Sequence, residues 1–168
     1  MANWHPRAKH YNYLKGEIMA YNNDDIADFV ATLLHSGTIT HFMHLQTTDF
    51  AVHKALGKYY PEIIDLVDDF AEAYQGCYAT RIKNYPETFH NAKDPIKYIT
   101  DMRNFVDKNR KSMPDETQLQ NIIDEIAQLI DSTLYRLSLK WFAYSQDTTH
   151  GKAWDTMCFA KVWLNTRL

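Results

Sequence analysis

The sequence predicts an all-α protein built as a four-helix bundle, and three observations carry that prediction. Apolar residues recur at the 3.6-residue helical period in four separate stretches, with no convincing strand alternation. Hydrophobic residues make up 45% of the 168 and Gly and Pro only five each, which suits a folded, helix-rich chain rather than a disordered one. One tight turn and one long connection separate the stretches, the pattern of a bundle with a crossover. The length fits one domain, divided into an N-terminal arm (1–21), a bundle (22–140) and a C-terminal extension (141–168).

The arm mixes aromatic and basic residues without a clean period, with room for a short helix over Tyr11 to Tyr21. Asn22-Asn23-Asp24-Asp25 is a helix start, because Asn and Asp side chains accept from free N–H groups and Asp suits the positive end of the dipole. Ile26, Phe29, Val30, Leu33 and Leu34 continue it, and Phe42 and Leu45 keep the period beyond Gly37, a residue that costs a helix about 1 kcal/mol relative to Ala. Thr47-Thr48-Asp49 offers the next cap. A second helix then runs through Phe50, Val52, Leu56, Ile63, Val67 and Phe70 to end near Gly76. Pro61 falls in its middle, predicting a kink between Gly57 and Pro61 or a break into two helices.

From Cys77 to Lys93 the period lapses into a crossover. Asp94-Pro95 restarts a helix, with Asp as cap and Pro in the first turn, whose stripe Ile96, Ile99, Met102, Phe105 and Val106 reaches about Lys111. Met113-Pro114-Asp115 breaks it and begins the fourth helix, where Leu119, Ile122, Ile123, Ile126, Leu129, Ile130, Leu134 and Leu137 form the cleanest amphipathic run in the chain. The last 28 residues hold three of the four Trp and a possible short helix from Ala153 to Leu164.

A net charge of −3 gives no general reason to bind nucleic acid or an anionic membrane. Cys77 and Cys158 form no CxxC, the first residues lack the basic and apolar regions of a signal peptide, and no apolar run reaches membrane-spanning length. The expectation is a soluble, cytoplasmic protein with free thiols and no membrane partner. The 14% aromatic share, with eleven Tyr, suggests interface surface beyond one small core.

Chemistry-bearing residues are densest from His41 to Glu72, HFMHLQTTDFAVHKALGKYYPEIIDLVDDFAEA less its last residue, which holds three histidines and an acidic series: Glu62, Asp65, Asp68, Asp69 and Glu72. Asp68 and Glu72, four apart, project from one helix face, with Asp65 one turn earlier. Imidazole nitrogens and carboxylate oxygens form a set that Fe(II), Mn(II) or Zn(II) accepts. The bland reading is a solvated acidic face with surface or capping histidines, since charge patterns alone are weak signals. Glu87-x-x-His90 has di-iron spacing but occurs once, where that chemistry needs the motif twice. His35 and His44 read as polar helix positions, and His5, His10 and His150 lie in the arms. No nucleophile elbow or glycine-rich phosphate loop is present.

The same segment resembles the ferroxidase stretch of the Dps proteins, the miniferritins of the ferritin-like superfamily. His41 and His53, twelve residues apart, fall on the two family histidines, and Asp68, Ala71 and Glu72 on its D-x-x-A-E. Gly57 stands where the family usually has another Asp, so His44, Asp65 or water would fill that place. The resemblance implies a ferritin-like bundle with long crossover and terminal arms, and catalytic and metal-binding roles for His41, His53, Asp68 and Glu72. It implies iron as cofactor, one or two ions per site, with the histidines from one subunit and the acids from its two-fold partner. It further implies Fe(II) oxidation by hydrogen peroxide or dioxygen, storage in a shell of about twelve subunits, and protection against oxidative damage. The near-neutral arms argue against strong DNA binding. The rival expectation, of a different class, is a ferritin-like helical protein without a working ferroxidase centre that serves as a binding or assembly module through its aromatic arms, a reading that Gly57 favours.

Overall fold

The computed structural model describes residues 21–87 and 90–139, and all regular structure among them is helical. The possible helices over Tyr11 to Tyr21 and Ala153 to Leu164, and the arms they belong to, lie outside the described residues but for Tyr21. Four α-helices follow in order: α1 (Asn23–Gln46), α2 (Phe50–Tyr78), α3 (Pro95–Asn109) and α4 (Thr117–Ser138), with a single 3-10 turn, Arg110–Ser112, after α3.

Each start follows from a local cap. The Asn22 side chain accepts from the Asp24 N–H, Asp49 Oδ1 accepts from the N–H groups of Ala51 and Val52, and Asp94 Oδ1 accepts from that of Lys97. α4 begins after Glu116, one residue later than Asp115, and no side chain caps it. α2 remains one helix through Pro61, so the break into two does not occur; it ends at Tyr78 with Ala79 in the left-handed region at φ 48°. Gly76 is therefore inside the helix.

α1 and α2 form an antiparallel hairpin, fixed at its open end by Tyr74 Oη donating to Asn23 Oδ1 at 3.2 Å. α4 lies against α2 and α3, and α3 against α1 and α4. The His35 ring stands 6.1 Å from that of His90, just ahead of α3, and Phe29 stacks on Phe105. α3 thus runs parallel to α2. Salt bridges Arg103–Asp131 (2.8 Å) and Arg110–Asp124 (2.6 Å) set α3 antiparallel to α4.

The core runs from Ile26, Phe29, Val30 and Leu33 through Leu56, Tyr59, Ile63, Val67 and Phe70 to Ile99, Val106, Leu119, Ile123, Ile126 and Ile130. On α1 the buried stripe continues through Ser36, Gly37, Thr40 and Met43. Phe42 and Leu45 lie off that stripe and are exposed, although both fit the apolar period. The middle of the stripe is polar or small because the helices meet closely there: a Cβ on Gly37 would come within 3.0 Å of Ile64 Cγ1. Ser36 and Thr40 satisfy their hydroxyls on backbone carbonyls one turn back, at Leu33 and Ser36. No helix among the described residues is long and apolar enough to cross a membrane.

Candidate functional site

The hairpin end of the bundle gathers the last turns of α1, the three-residue turn 47–49, the first turns of α2 and the end of α4. Four rings meet on the α1–α2 seam. His41 stacks on Tyr60 with centroids 4.1 Å apart, and His44 stacks on His53 at 3.8 Å. Edge contact between His44 and Tyr60 at 5.5 Å joins the pairs. His44 Nδ1 lies 2.8 Å from the His53 carbonyl oxygen and His53 Nδ1 lies 3.1 Å from the His44 carbonyl oxygen. A carbonyl only accepts, so both Nδ1 atoms carry the proton and donate. The reciprocal pair leaves each Nε2 outside these two bonds.

Gly57 makes the pairing possible. A Cβ there would stand 3.0 Å from His44 Cε1 and 3.1 Å from its Nδ1. Its role here is to seat an imidazole against the α2 backbone, rather than to mark a missing carboxylate. His44, read from sequence as a polar helix position, is thus central to the site. The spacing His44, His53, Gly57 was the signal for it, since a glycine one turn after a histidine opens a notch on that face.

The ring pair itself borders a groove of about 690 Å³ at this end, where His44, His53 and Gly57 join further residues of α2 and the end of α4 in its lining. Phe50, Ala51, Ala55 and Leu139 supply its apolar lining, and Lys54, Lys58 and Arg136 its charge. Among the described residues no Asp or Glu lines it. Asp49, close by in sequence, directs its carboxylate to the α2 N–H groups.

The predicted metal ligands are divided. His41 and His53 belong to the ring cluster, whereas Asp68 and Glu72 lie 15 and 19 residues along α2 from His53, about 22 and 28 Å at 1.5 Å per residue. Both acids are exposed, as are Asp65 and Asp69, so within one chain this is a solvated helix face. Among the described residues no group of three or more His, Cys, Asp or Glu side chains could hold a metal ion. Glu87 is exposed and His90 Nε2 is paired with Tyr98 Oη at 2.8 Å.

Residues 44–137 match a family whose description reads "Family of unknown function (DUF5856)". The chain is also similar to an "Uncharacterized 14.6 kDa protein in mobD-ri intergenic region" of Enterobacteria phage T4, with 30% identity over 114 residues that cover 67% of this chain and 88% of that protein. No solved structure matches. These findings overturn the Dps resemblance, because the family that matches across His44, His53, Asp68 and Glu72 is one of unknown function and no ferritin-like or Dps family matches. The physical reason is visible at Gly57: histidines and acids at helical spacing recur on amphipathic helices for other purposes, and here the glycine serves a ring pair.

Proposed function

The chain belongs to the DUF5856 family of unknown function, and on that premise we propose that it is a helical docking module that holds a protein partner against the hairpin end of its bundle. One observation carries this reading. Of the eight large hydrophobic residues exposed among the described residues, five lie within about two turns of this end: Phe42 (44% exposed), Leu45 (67%), Phe50 (62%), Tyr135 (66%) and Leu139 (49%). They come from α1, α2 and α4, and two of them, Phe50 and Leu139, line the same groove. Apolar surface concentrated in one place, beside an open groove, is the mark of an interaction site rather than of scattered exposure. The partner would bury these side chains while the ring cluster keeps the α1–α2 seam rigid beneath them.

The test compares the full chain with a Leu45→Asp, Leu139→Asp variant whose helicity is unchanged. Proteins retained from a lysate by the first and not by the second are purified and titrated back by calorimetry. The expected result is one partner binding at one-to-one stoichiometry and weakened at least about tenfold by the variant. Identical retention by both chains would remove the reading.

A second reading, transition-metal binding between two copies, has its own support. The Nδ1 protons of His44 and His53 rest on backbone carbonyls, the outer-shell arrangement that orients imidazole ligands and leaves Nε2 for a metal. Asp68 and Glu72, exposed and remote from the ring pair, would then come from a second copy. Sedimentation with and without Co(II) or Fe(II) checks it: a metal-dependent dimer lost in His53→Ala supports it, and a metal-independent mass eliminates it.

A further inference from the structure

The groove between α2 and the end of α4 is chemically one-sided, and we infer that the partner segment it receives is acidic and apolar together, its carboxylates meeting Lys54, Lys58 and Arg136 while a hydrophobic side chain packs on Phe50 and Leu139. This inference rests on the docking reading and narrows it to a class of ligand. Lys54 and Arg136 have no carboxylate partner among the described residues, whereas Arg103 and Arg110 are both tied to aspartates. Lys58 reaches Glu62 only at 3.6 Å, with both side chains about half exposed, a pair worth little. Arg136 rests on Ser132 Oγ at 3.4 Å.

The surroundings sharpen the selection. The chain as a whole is net negative and the outer face of α2 is acidic, so the cationic groove stands out locally and does not reflect a general attraction for anions. A neighbouring groove that shares Lys58 and Arg136 is lined by Glu62, Asp65 and Glu125. An acidic segment is therefore favoured on the Phe50 side and repelled on the other, which fixes where along the bundle it lies.

Charge also decides among occupants. Residues 1–20 carry three Lys or Arg against one acid, and residues 141–168 three against two, so neither arm complements the groove. A second copy presenting the same end would bring Lys54, Lys58 and Arg136 against their own counterparts, a like-charge contact. A partner that brings the acids satisfies both the apolar lining and the uncompensated cations.

The probe is three sets of immobilised peptides of about 12 residues, a length that spans such a groove. All have equal Leu and Phe content, interspersed with Asp and Glu in the first set, Lys in the second and Ser in the third. The full chain is expected to be retained at least about tenfold better by the acidic set, with retention falling as salt rises. A Lys54→Glu, Arg136→Glu variant, checked for unchanged helicity, should shift the preference to the lysine set. Equal retention by all three sets that is lost in Leu139→Asp would overturn the acidic class and keep the docking surface. No retention by any set would overturn both. A dimer in sedimentation that Leu139→Asp dissociates would assign the surface to a second copy and also overturn the inference.

Discussion

His44 and His53 are held ring on ring, centroids 3.8 Å apart, by two hydrogen bonds that each gives to the other's backbone carbonyl. The pair closes the hairpin like a clasp: it links the last turn of α1 to the first turn of α2 across only three intervening turn residues. A docking patch distributed over α1, α2 and α4 needs such a link, because its side chains keep their relative positions only if the helix ends do.

Gly57→Ala tests the notch that seats this clasp. Alanine gains a helix about 1 kcal/mol over glycine, but its Cβ would press on His44 Cε1 at 3.0 Å, so the ring must shift and weaken a bond worth about 1 kcal/mol. The two effects nearly cancel in the natural chain. In a His44→Ala background the obstacle is gone, and the same substitution should stabilise by the full amount. Urea unfolding of the four chains gives the coupling; a coupling below about 0.3 kcal/mol, the level expected of independent sites, would contradict the seating role.

Ser36 and Tyr59 predict an asymmetry. Ser36 Oγ donates to the Leu33 carbonyl at 2.6 Å, so the Tyr59 hydroxyl, 2.8 Å away and fully buried, is the donor in their shared bond. Tyr59→Phe leaves Ser36 its carbonyl partner and should cost about 1 kcal/mol. Ser36→Ala strands a buried hydroxyl and should cost about 2 kcal/mol. Chemical denaturation of the two single variants checks the order, and equal costs would show that the hydroxyl finds another partner.

The helices and their caps could be read from residues because the causes are local: Asn22, Asp49 and Asp94 cap as their side chains dictate, and Pro95 opens α3. The hairpin turn and the crossover followed from the same punctuation. What local pattern did not reveal was which apolar residues face inward. Phe42 and Leu45 fit the helical period as well as Met43 does, but the neighbouring helix fits against Ser36, Gly37 and Thr40, and that is a property of two helices together. His44 was obscured for the same reason, since its partner lies across the turn. The acidic residues Asp65, Asp68, Asp69 and Glu72 are exposed in the single chain.

Buried tyrosines set an alkaline limit. Burial raises the hydroxyls of Tyr59 and Tyr98 above the ordinary 10.0, and burial followed by the Glu116 carboxylate does the same for Tyr78. Below pH 10 these groups are neutral in both the folded and unfolded chain, and their contribution to stability is intact. Above it the unfolded chain releases their protons first, so stability falls as pH rises toward the folded values, by about 1.4 kcal/mol per pH unit for fully buried Tyr59 alone. Urea midpoints at pH 8 and 11 should show this fall, and Tyr59→Phe should make it shallower. An unchanged slope in the variant would exclude Tyr59 as a source.

Gly37 and Ile64 determine how closely α1 and α2 approach. Gly37 is buried, and a Cβ there would meet Ile64 Cγ1 at 3.0 Å, Ile64 Cδ1 at 3.2 Å and Ile63 Cγ2 at 3.3 Å. Ile63 is fully buried and has nowhere to go, while Ile64 is 42% exposed and can swing toward solvent. Overpacking of this kind costs about 1–3 kcal/mol, against about 1 kcal/mol gained by replacing a helical glycine, so Gly37→Ala should be destabilising by about 1 kcal/mol. Ile64→Ala removes two of the three close contacts and is itself mild at a half-exposed position. The double variant should therefore recover most of the loss, by thermal unfolding. If it instead loses the sum of the two single effects, the close approach is set by Ile63 and the backbone, and Ile64 only covers it.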